Sequence, residues 1–131
     1  MTHVTTPEAM NETFADAVNA RDLDWLLALY EPTAVLRTDG ESTYHGLDEI
    51  RVALRNLLDA LGADGRLIGR NVFCLVHGDV ALLRADYVAK RRDGTAIMRG
   101  SSAEIVYRGS DGIWRYIVDH ATGSSLPPLE L

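Results

Sequence analysis

Arg84 and Asp86 stand two residues apart in a β-rich run, so both side chains leave the same face of a strand, in a row otherwise filled by Val80, Leu82 and Val88. Charge in an apolar row is costly unless it is paired or wet, and a pocket supplies both conditions while moving carboxyl pKa values into a range useful for proton transfer. A second arrangement fits the same residues. The row could face solvent or a partner subunit, with Arg84 simply pairing with Asp86, while Ala81, Leu83, Ala85, Tyr87 and Ala89 form the core row. Asp119 and His120 pose a similar choice: as neighbours they point to opposite faces unless a bulge intervenes. Asp119 inside brings Arg115 and Ile117 with it, and His120 inside brings Trp114, Tyr116 and Val118. Glu104 shares a face with Ser102, Gly100 and Met98, either as a third pocket acid or as an exposed cross-strand partner for a basic residue. Tyr30, Tyr44, Trp25 and Phe73 suit pocket walls and core equally.

Three helices and a long sheet are predicted to position these groups. Thr6-Pro7 starts a helix carrying Met10, Phe14, Ala17 and Val18 at helical spacing. Asp22 caps a short second helix with the stripe Leu23, Leu26, Leu27 and Tyr30, stopped by Pro32. The third follows Gly46, with Asp48 and Glu49 in its first turn, Ile50, Leu54, Leu57, Leu58 and Leu61 on one face, and Gly62 at its end. Between the second and third, Ala34 to Arg37 and Thr43 to His45 read as short strands around Asp39-Gly40. From Gly65 the period changes. Arg66 to Val76, Val80 to Arg91, Ala96 to Arg108 and Ile113 to Ala121 are β-rich, and the turns between them are short enough to force an antiparallel meander. Helices first and strands later mean α+β, with three N-terminal helices packed on a strongly curved, mainly antiparallel sheet around an internal pocket. Residues 1–131 form a single domain with an irregular tail at 122–131. Both sheet faces carry apolar residues and the helices cover one, so a homodimer through the exposed face is expected.

Composition narrows the function. The 131 residues carry 47% hydrophobic side chains, enough for one real core. A net charge of -6, with 13 scattered bases against 19 acids, argues against nucleic acid. The basic cluster Lys90-Arg91-Arg92 adjoins the turn Asp93-Gly94 and reads as solvated. Cys74 is the single cysteine, which rules out an intrachain disulfide and fits a reducing cytoplasm; no apolar run has the length to span a membrane. His3, His45, His77 and His120 have no metal-site spacing, and no Gly-rich phosphate loop or Gly-x-Ser-x-Gly occurs. No metal or cofactor is implied.

Pro7-Glu8-Ala9-Met10, Ala17 to Asp24, Leu27-Ala28-Leu29-Tyr30, Tyr44 to Ile50 and the closing Trp114 to His120 together resemble the NTF2-like superfamily, which includes ketosteroid isomerases, SnoaL-like cyclases and limonene epoxide hydrolase. Such motifs specify a fold better than a reaction. The resemblance to ketosteroid isomerase places that family's tyrosine on Phe14, its base near Thr38 and its acid near Ala103, so all three groups are missing, with Asp39 one step from the base position. The resemblance to limonene epoxide hydrolase implies Arg84-Ala85-Asp86, with Asp119 five residues after Trp114, as two carboxyls and an arginine around a water. That family's water-holding Tyr and Asn fall near Leu36 and Thr38, where neither is present. The expected site is therefore Arg84, Asp86 and Asp119 as acid-base machinery, with Phe14, Leu26, Tyr30, Tyr44, Phe73, Glu104 and His120 against a small, largely apolar molecule. The expected function is cofactor-independent hydrolase, isomerase or cyclase chemistry. The alternatives are a cavity that binds a metabolite without turnover and an association module.

Overall fold

The computed structural model describes residues 1–38 and 41–131, so the expected turn at Asp39-Gly40, and Asp39 as a displaced base, lie outside the described residues. Among the described residues the chain forms a 3-10 turn, Pro7–Ala9, then α1 (Met10–Asn19), α2 (Leu23–Ala28), β1 (Tyr30–Arg37), β2 (Thr43–His45), α3 (Gly46–Leu61), β3 (Arg66–His77), β4 (Val80–Lys90), β5 (Ala96–Ser101), β6 (Ala103–Arg108) and β7 (Trp114–His120).

Local chemistry fixes the helix ends. The Trp25 N–H donates to Asp22 Oδ1 at 3.0 Å and starts α2. The His45 N–H donates to Glu49 Oε1 at 3.0 Å across the start of α3, and Gly62 at φ 69° ends it. Thr6 makes no side-chain capping bond, and the chain enters α1 through the 3-10 turn instead. Arg21 adopts φ 56°, and its guanidinium donates to the carbonyls of Gly62 and Gly65 at 2.7 and 2.6 Å, tying the α1–α2 corner to the end of α3.

The sheet has seven strands in the order β2-β1-β7-β6-β4-β3, with β5 also on β4. The run from β3 to β7 is antiparallel, as short turns require, whereas β1 lies parallel to β7 because the helical segment returns the chain along the same direction. Tyr30 belongs to β1 and not to α2, so this strand is longer than its apolar run indicates. Pro32, without an N–H, sits in the stretch where β1 slips register against β7. The run 96–108 is two strands interrupted at Ser102, yet one register runs through the break, from Asp86↔Ser101 to Leu83↔Glu104. Helices and sheet are thus packed as an α+β fold with the sheet curled but not closed. The core lies between its concave face and α1 and α3, with Met10, Val18, Leu26, Ile50, Leu61, Leu83 and Val106 fully buried. No described helix is long and apolar enough to cross a membrane.

Candidate functional site

Period-2 alternation sends Ala81, Leu83, Ala85, Tyr87 and Ala89 of β4 inward, and they are buried or half-buried. Arg84 and Asp86 therefore face outward. They pair at 3.1 Å, and the Ser101 hydroxyl donates to Asp86 Oδ1 at 2.6 Å. Ser101 and Arg84 hold the Asp86 carboxyl below its usual range, which removes it as a base for the pocket. The expectation of Arg84 and Asp86 in the site is thus corrected: solvent and mutual pairing satisfy both charges at little desolvation cost, and the smooth apolar row takes the interior.

Two bulges decide what else points inward. On β7 the partners are Val106↔Tyr116 and Ile105↔Val118, leaving Ile117 as the extra residue. Trp114 and Tyr116 face inward before it, Asp119 faces inward after it, and Val118 is outside. Asp119 therefore enters with Tyr116, not with Arg115 and Ile117, and His120 is turned away from the pocket. On β3 the extra residue is Val72, between Asn71↔Ala85 and Phe73↔Arg84, so Phe73 lies on the outer face opposite Arg84 and is no pocket wall. Leu26 is fully buried within the core and does not reach the cavity, and neither does Trp25.

The cavity, about 440 Å³, lies between α1, α3 and the concave sheet. Phe14, Tyr30, Tyr44, Tyr87 and Tyr116 supply aromatic walls, Leu36, Leu54, Leu57, Leu67 and Met98 aliphatic ones, and Asn11, Ser102, Glu104 and Asp119 the polar groups at its inner end. Solvent-exposed Ser42, Asn56 and Ala60 also line it and mark its mouth. Of the expected site residues, Phe14, Tyr30, Tyr44, Glu104 and Asp119 line this cavity.

Glu104 and Asp119 are directly opposed on β6 and β7, a register that brings side chains within about 5 Å at Cβ. Both are buried, at 3% and 8% exposure. The Tyr30 hydroxyl donates to Asp119 Oδ2 at 2.6 Å, and its ring packs on Tyr116 with centroids 5.0 Å apart. Ser102 accepts from the Ala85 N–H at 2.9 Å and bonds Glu104 Oε1. Glu104 Oε2 is buried with no hydrogen-bond partner among the described residues. The Tyr116 hydroxyl donates to Asn11 Oδ1 at 2.8 Å, and Asn11 donates onward to Asn71 Oδ1 at 3.0 Å, fixing the floor. Tyr87 spans the pocket to donate to the Ala121 carbonyl at 2.7 Å; Gly100 leaves the room, since a Cβ there would come within 2.6 Å of the phenol oxygen.

Burial pushes the Asp119 carboxyl up to about 6, against the pull of the Tyr30 hydrogen bond. Burial and then the charge of Asp119 push Glu104 up to about 8, with the Ser102 bond opposing. Two like carboxyls this buried and this close cannot both ionise readily, so near neutral pH the pair holds one proton. Burial, reinforced by the two acids, keeps Tyr30 and Tyr116 far above their ordinary pKa, hence neutral donors. The pair can accept one proton and deliver another within a single cavity. The described residues hold no cluster of three or more His, Cys, Asp or Glu side chains suited to a metal.

Among curated proteins, none matches this chain closely enough to count as a relative. Solved structures do. A protein from Thiobacillus denitrificans, described as a putative calcium/calmodulin-dependent protein kinase type II association domain, superposes with a TM-score of 0.80 at 24% identity, covering 99% of this chain and 100% of that one. An NTF2-like protein with a cystatin-like fold from Novosphingobium aromaticivorans gives 0.75 at 19% identity, covering 86% and 76%. A ketosteroid isomerase-like protein from Erwinia carotovora atroseptica gives 0.66 at 16%, covering 86% and 89%. At these identities the likeness is one of fold. The sequence pattern of the SnoaL-like domain matches residues 9–117, most of the chain, and with the helix-backed curled sheet it makes this protein a member of the SnoaL-like family of the NTF2-like superfamily.

Proposed function

We propose that this chain is a cofactor-independent acid-base catalyst acting on a small, largely apolar molecule. The observation that carries the reading is the opposed Glu104–Asp119 pair at the inner end of an apolar cavity, with the two acids driven to different pKa values by their surroundings. Asp119, ionised first and oriented by Tyr30, is the base: it takes a proton from carbon next to a carbonyl, or from water. Glu104, still protonated, gives its proton to the oxygen on which charge develops. Atoms balance without an added reagent, since one proton enters the pair as another leaves. Solved structures of like fold described as ketosteroid isomerase-like, or as a putative ketosteroid isomerase from Shewanella frigidimarina, are in keeping with proton-transfer chemistry. Steroid isomerisation itself is not favoured, because Phe14 and Thr38 stand where that family has its tyrosine and base. Its acid falls near Ala103 by sequence, the residue before Glu104.

Base-promoted ring opening of a nitrobenzisoxazole tests this, because a desolvated carboxylate strips the ring C–H, the N–O bond breaks, and the coloured cyanophenolate reports the rate. The expected result is catalysis that rises with pH through about 6 as Asp119 ionises and is lost in Asp119→Asn. A rate no better than that of free carboxylate buffer, or one retained by Asp119→Asn, would refute the assignment; retained ligand binding would then make the chain a non-catalytic binder.

We also propose a homodimer through the outer sheet face. Leu75, Val80 and Leu82 are each at least 40% exposed there, on strands whose other face is covered by the helices. Sedimentation at micromolar concentration should give twice the monomer mass, and Leu82→Lys should halve it. A strictly monomeric wild type would refute the interface.

A further inference from the structure

The cavity's charge is one-sided. Its titratable lining consists of Glu104, Asp119 and the phenols of Tyr30, Tyr44, Tyr87 and Tyr116, and no arginine, lysine or histidine lines it among the described residues. The Arg84 guanidinium, the nearest cation by sequence to the pocket face of β4, is turned outward onto Asp86. A buried carboxylate without a cation is costly, and a neighbouring carboxyl oxygen, Glu104 Oε2, is buried with no hydrogen-bond partner among the described residues. Something that carries positive charge for Asp119, offers an acceptor to the Glu104 acid proton and is otherwise apolar would satisfy both. Phenol and phenyl rings on several sides are the surroundings that a desolvated ammonium prefers.

We infer that the substrate class of this pocket is a hydrophobic amine, bound as its monocation with the ammonium on the Asp119 carboxylate and its hydrocarbon body against Phe14, Tyr116, Leu54 and Met98. The inference rests on the acid-base reading of the same cavity and adds the charge of what enters it. One ammonium balances the single negative charge of the acid pair; with acceptor sites on both oxygens, the Asp119 carboxylate can hold it and still face the proton to be removed, and the Glu104 proton stays available to an oxygen of the ligand. A carboxylate or phosphate ligand meets the Asp119 charge with no cation among the described lining residues to offset it.

Three probes with one skeleton decide it: adamantylmethylamine, adamantylmethanol and adamantanecarboxylate, titrated calorimetrically into the full chain. The amine should bind about tenfold or more tightly than the alcohol, as a charge-assisted hydrogen bond in a desolvated site implies, and the carboxylate should not saturate. Amine affinity should fall as pH drops below about 6, where Asp119 takes up its proton, while alcohol affinity stays level. In Asp119→Asn the amine's advantage should vanish with alcohol binding retained, which separates loss of charge from loss of fold. An alcohol that binds as well as the amine, or an amine advantage that survives Asp119→Asn, overturns the inference and leaves the acid-base reading standing if nitrobenzisoxazole is still opened. If neither amine nor alcohol binds and no ring opening occurs, both fall.

Discussion

Exchanging Glu104 for glutamine should stabilise the protein progressively as pH rises above neutrality. An acid whose pKa is higher in the folded than in the unfolded chain keeps its proton longer in the native state, so stability falls with rising pH between the two values. For Glu104 those values are its ordinary 4.5 and about 8. At 3% exposure the group has almost no solvent to screen that shift. Within the window the slope is about 1.36 kcal/mol per pH unit. From pH 6.5 to the upper edge near 8 the wild type therefore loses about 2 kcal/mol that the glutamine variant, with nothing to ionise at this position, retains. Asp119 has finished most of its own titration by then, since its folded value is about 6, and it titrates in both proteins. For a domain of this size about 2 kcal/mol corresponds to roughly 6 to 10 °C in melting temperature. Paired thermal melts at pH 6.5 and 9 should show the variant's advantage growing by that amount. A difference between the two proteins that does not change with pH would mean Glu104 is not the high-titrating acid, and the acid-base assignment would lose its proton donor.

Asp86→Asn, on the outer face, should leave both the melting temperature and the ring-opening rate unchanged, since its partners Arg84 and Ser101 are at the surface; a lost rate would return this pair to the site. Tyr30→Phe removes the hydrogen bond that lowers the Asp119 pKa, so the carboxyl should titrate above its present value of about 6 by NMR. The same variant should lose about 1.5 to 3 kcal/mol where Asp119 is ionised, and less at pH 5. Leu26→Ala and Leu54→Ala should separate in denaturant melts: Leu26 is packed on all sides and should cost near the upper end of the 2 to about 5 kcal/mol range, whereas Leu54 already borders the cavity and should fall near the lower end.

Much of the fold is legible because helix and strand periods are separable by eye. Asp22, Gly46 and Gly62 mark helix ends by the chemistry of unsatisfied N–H and C=O groups, and the β4 row of Ala, Leu, Ala, Tyr and Ala is the inner face its composition suggests. Glu104 shares its face with Ser102, Gly100 and Met98 because no bulge lies among them. Phase fails where the count is broken. Val72 and Ile117 are β-branched residues that look like any other strand position, yet each is the extra residue of a bulge, and every assignment beyond them reverses. The misplacement of Phe73 and the unexpected pairing of Tyr116 with Asp119 on one face share that cause. Tyr30 misleads differently: it continues a helical stripe by spacing, and only the parallel pairing with β7, a contact 86 residues away at Tyr116, makes it a strand residue.

The Ile117 bulge is also what creates the site. In an unbroken β7, Tyr116 would face inward with Val118 and His120, and Asp119 would lie outside, where a lone carboxylate is solvated and unperturbed. One extra residue instead brings Asp119 under the Tyr30 hydroxyl and opposite Glu104, while Tyr116 stays to wall the same end. The cost is an interrupted ladder and two acids with little solvent. The apolar core around Met10, Ile50, Leu61 and Val106 offsets it, and the opposed carboxyls are what that stability maintains. An arginine in the lining would have neutralised the pair and lowered both pKa values toward those of a surface ion pair. Turning Arg84 outward keeps the acids unneutralised, and a cavity lined by two acids and, among the described residues, no cation favours a neutral or positively charged occupant over an anion.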